Sequence, residues 1–286
     1  MLELPELEVI KDRLRLALAG RLIIGLEIRR PGCLRTSVPP VAALAGRHLR
    51  SATRAGGFLV FTTDDRPRLC VRLASTGRLA LGPAAAPWTG QHLAALHLDR
   101  EEDLRLIEIG RDQRAALHLA ADADQADRVT RPGIDPLGPE FTLARFRAAL
   151  ARHHEPLRRL LAGRHPVPGI GPCYADEILF EARLAPLAPA DALRPEEAIR
   201  LYMAVKKVLQ DAILRLRLLD RLPEPGDRRG LRVHGRPGEP CPVCGVAIRR
   251  AGPDALGADH CPACQAGGLA PPGPPPAGPA PEPYPW

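Results

Sequence analysis

The stretch Cys241-Pro-Val-Cys244, followed sixteen residues later by Cys261-Pro-Ala-Cys264, decides how the end of this chain folds and orders the reading of the rest. Each Cys-x-x-Cys pair closes a tight knuckle. The hairpin between the knuckles brings four thiolates to the corners of a tetrahedron, the geometry that holds Zn2+. Two disulfides are the competing arrangement. An Arg-rich chain without a secretory leader is expected in a reducing compartment, where thiols stay free, and the reading adopted is a closed zinc site. A four-cysteine ribbon can present its hairpin to nucleic acid, to protein or to nothing, so its task has to be sought elsewhere in the chain.

Working outward, 286 residues suffice for two domains with apolar cores beside the small metal module. No apolar run reaches the roughly 20 residues of a membrane span. Met1-Leu2-Glu3-Leu4-Pro5-Glu6 carries acids where a secretory leader carries Lys or Arg. The expected location is the cytoplasm, in association with the nucleoid. A formal net charge of +7 favours a polyanionic partner without identifying one. Lys11, Lys206 and Lys207 are the lysines among 40 basic residues, so chemistry that needs an amine side chain in the first 205 residues must use Lys11 or go without.

Pro5 to Ala19 reads as a helix, with Glu6 and Glu8 in the first turn, Leu7, Ile10, Leu14 and Leu18 at helical spacing, and Gly20 as the stop. Short alternating runs broken by Gly, Pro or Asp predict strands at 21–30, 47–55, 57–63, 68–73, 77–81, 92–98, 104–109 and 115–120. Together they form a mostly antiparallel β domain opened by one helix. From Asp135 the period lengthens. Helices are expected at 143–152, 156–161, 174–182 and 195–219, the last with Ile199, Tyr202, Met203, Val205, Val208, Leu209 and Ile213 as one core-facing stripe. Residues 223–230 read as a polar linker, and 267–286, rich in Pro and Gly, as a disordered tail.

Three segments then stand out together: Glu3-Leu4-Pro5-Glu6-Leu7-Glu8; Gly169-Ile170-Gly171-Pro172-Cys173-Tyr174-Ala175-Asp176-Glu177-Ile178-Leu179-Phe180; and Val233-His234-Gly235-Arg236-Pro237-Gly238-Glu239-Pro240-Cys241 with its four cysteines. In this order and spacing, over about residues 1–266, the chain resembles the formamidopyrimidine-DNA glycosylase and endonuclease VIII family of base-excision repair enzymes. The resemblance implies an α+β fold: an N-terminal helix plus antiparallel β-sandwich over 1–133, a helix-two-turn-helix domain over 134–222, a four-cysteine zinc ribbon over 223–266, and the tail 267–286. It also implies a way of working. Double-stranded DNA, damaged or abasic, is bound; the damaged base is flipped out of the stack. An N-terminal amine, usually of proline, attacks the sugar C1′ to form a Schiff base, and the following Glu handles protons. An α-amine suits that task, because its pKa near 8 leaves part of it neutral.

Position by position, the chain departs from the family pattern. Leu2 stands where the nucleophilic proline belongs, and since methionine is poorly removed before Leu, the free amine is expected on Met1. Glu3 and Glu6 match the family's two acids, and both are also ordinary N-terminal helix acids. In Arg54-Ala55-Gly56-Gly57-Phe58, Gly57 takes the place of a phosphate-contacting Lys. In Arg72-Leu73-Ala74-Ser75-Thr76-Gly77, Ser75 replaces the Met that fills the vacated stack, and of the other two wedge residues only Arg111 remains. Pro172 replaces a phosphate-gripping Asn, and Leu256 the corresponding Arg of the zinc hairpin. The expected protein is thus a monomeric damaged-DNA-binding protein of base-excision repair, resembling a bifunctional glycosylase and abasic-site lyase. Leu2, Glu3 and Glu6 occupy its catalytic positions, Arg72, Arg111 and Arg158 remain for DNA, and Cys241, Cys244, Cys261 and Cys264 hold Zn2+. The alternative is a catalytically inactive zinc-ribbon relative that binds DNA or protein.

Overall fold

The computed structural model describes residues 2–110, 114–130, 133–163, 166–225, 227, 230–252 and 257–266. Arg111, Leu256 and the stretch read as a tail, 267–286, lie outside the described residues. The chain forms two compact units. One takes Met1–Asp135, Val167–Gly169 and Leu209–Asp227, and the other takes the remainder.

The first unit opens on helix α1 (Leu4–Leu18). Pro5 falls in the first turn, where a missing N–H costs nothing, and the Glu6 carboxylate accepts the N–H of Glu3 at 2.9 Å in a capping box. Leu7, Ile10, Leu14 and Leu18 all turn inward. Eight strands follow: β1 (Ile23–Ile28), β2 (Leu49–Ala55), β3 (Phe58–Thr63), β4 (Arg68–Arg72), β5 (Gly77–Pro83), β6 (His92–Leu98), β7 (Glu102–Glu108) and β8 (Ala116–Ala120). They pair antiparallel into two sheets, ordered β1-β6-β7-β5 and β2-β3-β4-β8. Alternate residues of both sheets meet in one core. Leu59, Phe61, Leu69, Val71, Leu117 and Leu119 come from one, Leu79, Leu96, Leu104 and Leu106 from the other. Each such side chain contributes about 1.5–3 kcal/mol by burial.

A short helix α2 (Ala123–Thr130) lays Ala126 and Val129 against Val60, Cys70 and Ala120 on the outer face of the second sheet. The sequence reading contains no helix there. Ala-Asp-Gln-Ala-Asp-Arg-Val-Thr is only eight residues long, and the face that packs, Ala126, Val129 and Thr130, is small and weakly apolar, so sheet packing is needed to hold it.

The helical part comprises α3 (Leu143–Leu150), α4 (Leu157–Leu161), α5 (Pro172–Ala182) and α6 (Pro195–Arg217), followed by the hairpin β9 (Arg249–Ala251) and β10 (Ala258–His260). Thr142 caps α3 by accepting the N–H of Arg145. Phe141 stacks on Tyr202 of α6 at 5.0 Å, and the tyrosine hydroxyl donates to the Phe141 carbonyl at 2.9 Å. The inward stripe of α6 differs from the expected one. Leu201, Val205, Val208, Leu209, Ala212, Ile213 and Leu216 are buried, whereas Ile199 and Met203 are 44% and 58% exposed. Those two lie four residues apart, so a rotation of the helix that buries Leu201 and Val205 carries both outward. Among the described residues no helix is long and apolar enough to cross a membrane.

Candidate functional site

Two regions carry the residues singled out in the sequence, one in each unit. In the first unit the start of α1, the β2–β3 turn and the segment Val167–Gly169 converge. The Leu4 N–H donates to the Gly169 carbonyl at 2.7 Å. Gly169 has φ +94, and a Cβ there would stand 3.2 Å from the Gly56 carbonyl oxygen and 3.3 Å from the Leu4 Cβ, so the close approach requires glycine. Glu3 and Glu6 are both buried, at 2% and 1% exposure. Leu2 is 5% exposed and packs into the β-sandwich core.

Arg54, on β2, has a side chain only 2% exposed. Its Nε donates to Glu8 at 2.9 Å, and Nη2 donates to both oxygens of Asp135 at 2.6 and 2.8 Å. That guanidinium is committed to holding α1, β2 and the end of the unit's first segment together. Lys11 is engaged as well, with Glu8 and with Asp12 at 3.1 Å. At Gly57 nothing lies within 4 Å of where a Cβ would stand. The corner thus has room for a side chain at that position and presents none. Ser75 is exposed in a turn whose preceding residue, Ala74, sits at φ +53.

Arg72 ends β4 opposite Ala116 and is half-buried. Burial lowers the pKa of His118 on the neighbouring strand below its ordinary value, and the cationic Arg35 and Arg72 lower it further. Arg158, read in the sequence as a DNA contact, has a different employment. Its side chain is 10% exposed and its Nε donates to Asp176 at 3.3 Å, so its charge is neutralised inside the helical unit. Pro172 is the first residue of α5, a position that tolerates the lost N–H donor.

The second region is the cysteine cluster. The four Sγ atoms lie within 4.8 Å of one another, with Cys241–Cys264 at 3.9 Å and Cys244–Cys261 at 3.4 Å. A tetrahedral ion with Zn–S bonds of about 2.3 Å needs sulfurs about 3.8 Å apart. The cluster could therefore hold a metal, and its donor set suits a thiophilic dication. Burial pushes the Cys261 and Cys264 thiols up, whereas Cys244, against its own burial, is drawn down by the Val246 N–H and the neighbouring cysteines; a bound dication would offset the cost of gathering thiolates here.

Beside the cluster lies a network that the sequence reading missed. Asp176, His234 and Asp259 place ligand-type atoms within 4.8 Å. Arg158 and Arg250 already compensate both carboxylates, Arg250 by donating to Asp259 at 2.8 and 3.0 Å, so the group is an ion-pair network rather than a second metal centre. Burial raises the Asp259 pKa, but Arg250 and the Gly235 N–H outweigh it and hold the carboxyl below its usual range. The available signal was two adjacent acids, Asp176 and Glu177, inside the apolar run from Cys173 to Phe180.

Comparison with known proteins matches the chain in two consecutive parts. The formamidopyrimidine-DNA glycosylase N-terminal domain matches residues 1–115, and the formamidopyrimidine-DNA glycosylase H2TH domain matches residues 133–217. A formamidopyrimidine-DNA glycosylase of Moorella thermoacetica is 33% identical, across 87% of this chain and 94% of that protein. One from Thermus thermophilus is 34% identical, across 94% of this chain and 100% of its own length. The crystal structure of the MutM (Fpg) protein from Thermus thermophilus superposes with a TM-score of 0.80 at 33% identity, covering 93% of this chain and 100% of that one. A Lactococcus lactis Fpg mutant, solved in complex with a Fapy-dG containing DNA, gives 0.83 at 26% identity, over 92% and 99%. With both domain models matched in order and full-length relatives one-third identical, the chain belongs to the formamidopyrimidine-DNA glycosylase family.

Proposed function

We propose that this chain is a damaged-DNA-binding protein of base-excision repair that carries Zn2+ in its ribbon and keeps the scaffold of a glycosylase and abasic-site lyase with little of its amine chemistry. The observation that carries the reading is Leu2, an apolar residue packed in the core at the position where the resemblance puts a nucleophilic proline. Gly57 supports it, since a phosphate-contacting amine has been replaced by open space. Support for a DNA duplex as ligand comes from the relatives, which bear the name of a DNA glycosylase, and from the Lactococcus lactis protein bound to Fapy-dG containing DNA. The net charge of +7 agrees with a polyanion.

A second reading, an active glycosylase and lyase, is favoured by the retention of Glu3 and Glu6 at the head of α1. Borohydride trapping on an abasic-site duplex separates the two, because only a Schiff base is reduced to a stable crosslink. Intact-mass measurement of the N-terminus and a Glu3→Gln variant accompany it. The expected result is duplex binding that weakens steeply with salt, as phosphate neutralisation releases counterions, and no covalent adduct. An adduct that requires the N-terminal amine and is lost in Glu3→Gln would replace this reading with the second.

A further inference from the structure

We infer that Glu177, on α5, is a positioning residue for the four-cysteine site, and that its carboxylate sets a large part of the affinity with which that site holds its metal. The inference rests on the zinc reading above. Glu177 is buried, and its Oε1 accepts three consecutive backbone N–H groups, from Arg232 at 3.0 Å, Val233 at 2.8 Å and His234 at 2.9 Å; Oε2 accepts the Arg232 N–H at 3.0 Å. Three successive amides converging on one oxygen form an anion nest, here occupied by a side chain of the same protein. The segment so gripped leads directly into the ribbon. Val233 is wholly buried, in a cluster with Phe180, Ile248, Cys241, Cys261 and Cys264, so the nest and the metal knuckles share one small core.

The neighbouring residue reinforces the grip. Asp176 accepts from His234 Nδ1 at 2.7 Å and from the Asp259 N–H at 3.3 Å, and Asp259 in turn accepts the Gly235 N–H at 2.7 Å. Gln265, just past the last cysteine, accepts the Cys261 N–H and donates to the Leu184 carbonyl, both at 2.9 Å. The ribbon's entry, its hairpin and its exit are thus each tied to α5 or the turn after it. Its hydrophobic content is small, and such modules fold only with their metal. If the metal leaves and the ribbon opens, the three backbone N–H groups that Glu177 gathers are released together, and the order they impose on residues 232–234 is lost with the metal site. Reciprocity follows: whatever docking contributes to ribbon folding appears in the metal affinity, because binding and folding are one equilibrium.

The test measures Zn2+ affinity by chelator competition in the full chain, without DNA, together with amide hydrogen exchange at 232–234. Glu177→Ala is expected to weaken zinc at least about tenfold, within the 10- to 100-fold range of groups that support metal ligands from outside. Glu177→Gln, which keeps an accepting oxygen, is expected to fall between the two. Glu181→Gln, which alters the partly exposed contact of Glu181 with the Arg232 guanidinium, is expected to change affinity less than threefold. In the wild type the amides of Arg232, Val233 and His234 should be protected with zinc and exchange freely without it. Unchanged affinity in a folded Glu177→Ala protein would overturn the inference while leaving the zinc reading intact. Should that variant not fold, persistence of the amide protection in metal-free wild type would overturn it equally. A wild-type chain that takes up no zinc overturns both.

Discussion

The start of α1 and the docked ribbon teach opposite lessons about how a framework and its chemistry are linked. At the ribbon the four cysteine sulfurs lie within 4.8 Å of one another, and the carboxylates beside them have donors supplied by backbone or arginine. At the N-terminal corner the framework is equally sound. Arg54 holds Glu8 and Asp135, and Gly169 admits Leu4 and Gly56. On the proposed reading, the two positions that would do chemistry there hold Leu2 and Gly57. A residue that satisfies a buried charge cannot be lost without several kcal/mol of damage, whereas one that faces a substrate can be lost at no cost to folding.

The contrast can be broken or sharpened by measurement. The largest effect is expected for Cys261→Ser, which should abolish metal binding and remove the ribbon's protection in hydrogen exchange, since structural zinc contributes about 10–16 kcal/mol of apparent binding energy in small domains. The β-sandwich should keep its own thermal transition. Next in size, Leu2→Pro combined with Gly57→Lys should raise the yield of borohydride-trapped adduct at least about tenfold, equivalent to ~1.4 kcal/mol at the barrier. Open space at residue 57 means that Gly57→Lys alone should change stability by less than about 0.5 kcal/mol in urea unfolding. No gain in adduct would show that the corner has lost more than two side chains.

Glu6→Ala removes a capping-box acceptor and should cost about 0.5–2 kcal/mol in the β unit, with zinc affinity unchanged. Mild acid should likewise act on the β unit. His118 titrates below its ordinary 6.5 because of burial and the nearby Arg35 and Arg72. The unfolded chain therefore binds the proton first as pH falls. Stability contributed by the neutral imidazole is complete above about pH 6.5, declines below it, and stops declining once the folded imidazole also titrates. His118→Gln should flatten that part of the pH profile of the melting temperature. Ala74→Gly should act in the opposite direction: at φ +53 a Cβ is unfavourable, and its removal should stabilise the unit by no more than about 1 kcal/mol in thermal melting.

The strands were legible because each alternates and is cut by Gly, Pro or Asp, and the order Glu3 to Glu8, Gly169 to Phe180 and the cysteines carried the family. The phase of α6 was not, since Ile199 and Met203 are as apolar as Leu201 and only packing decides which way the helix turns. The partner of Arg158 was hidden for a related reason. An arginine's partner is a tertiary fact, and Asp176 gave no sign in one dimension that it would take this one. Glu177 announced itself as a charge in an apolar run, but its donors are backbone N–H groups, which every residue except proline offers and which no sequence pattern can single out.

Cys33, Cys70 and Cys173 are buried and stand outside the four-cysteine cluster, and burial pushes the Cys70 thiol up to about 11. At neutral pH roughly one part in ten thousand of such a thiol is the reactive thiolate. With all three shielded by burial, a thiol-alkylating reagent applied to the folded chain is expected to modify no cysteine while the ribbon is loaded, and four once the metal is stripped. The number of groups added becomes a direct count of open ribbons, so the protein carries its own stoichiometric reporter of metal occupancy.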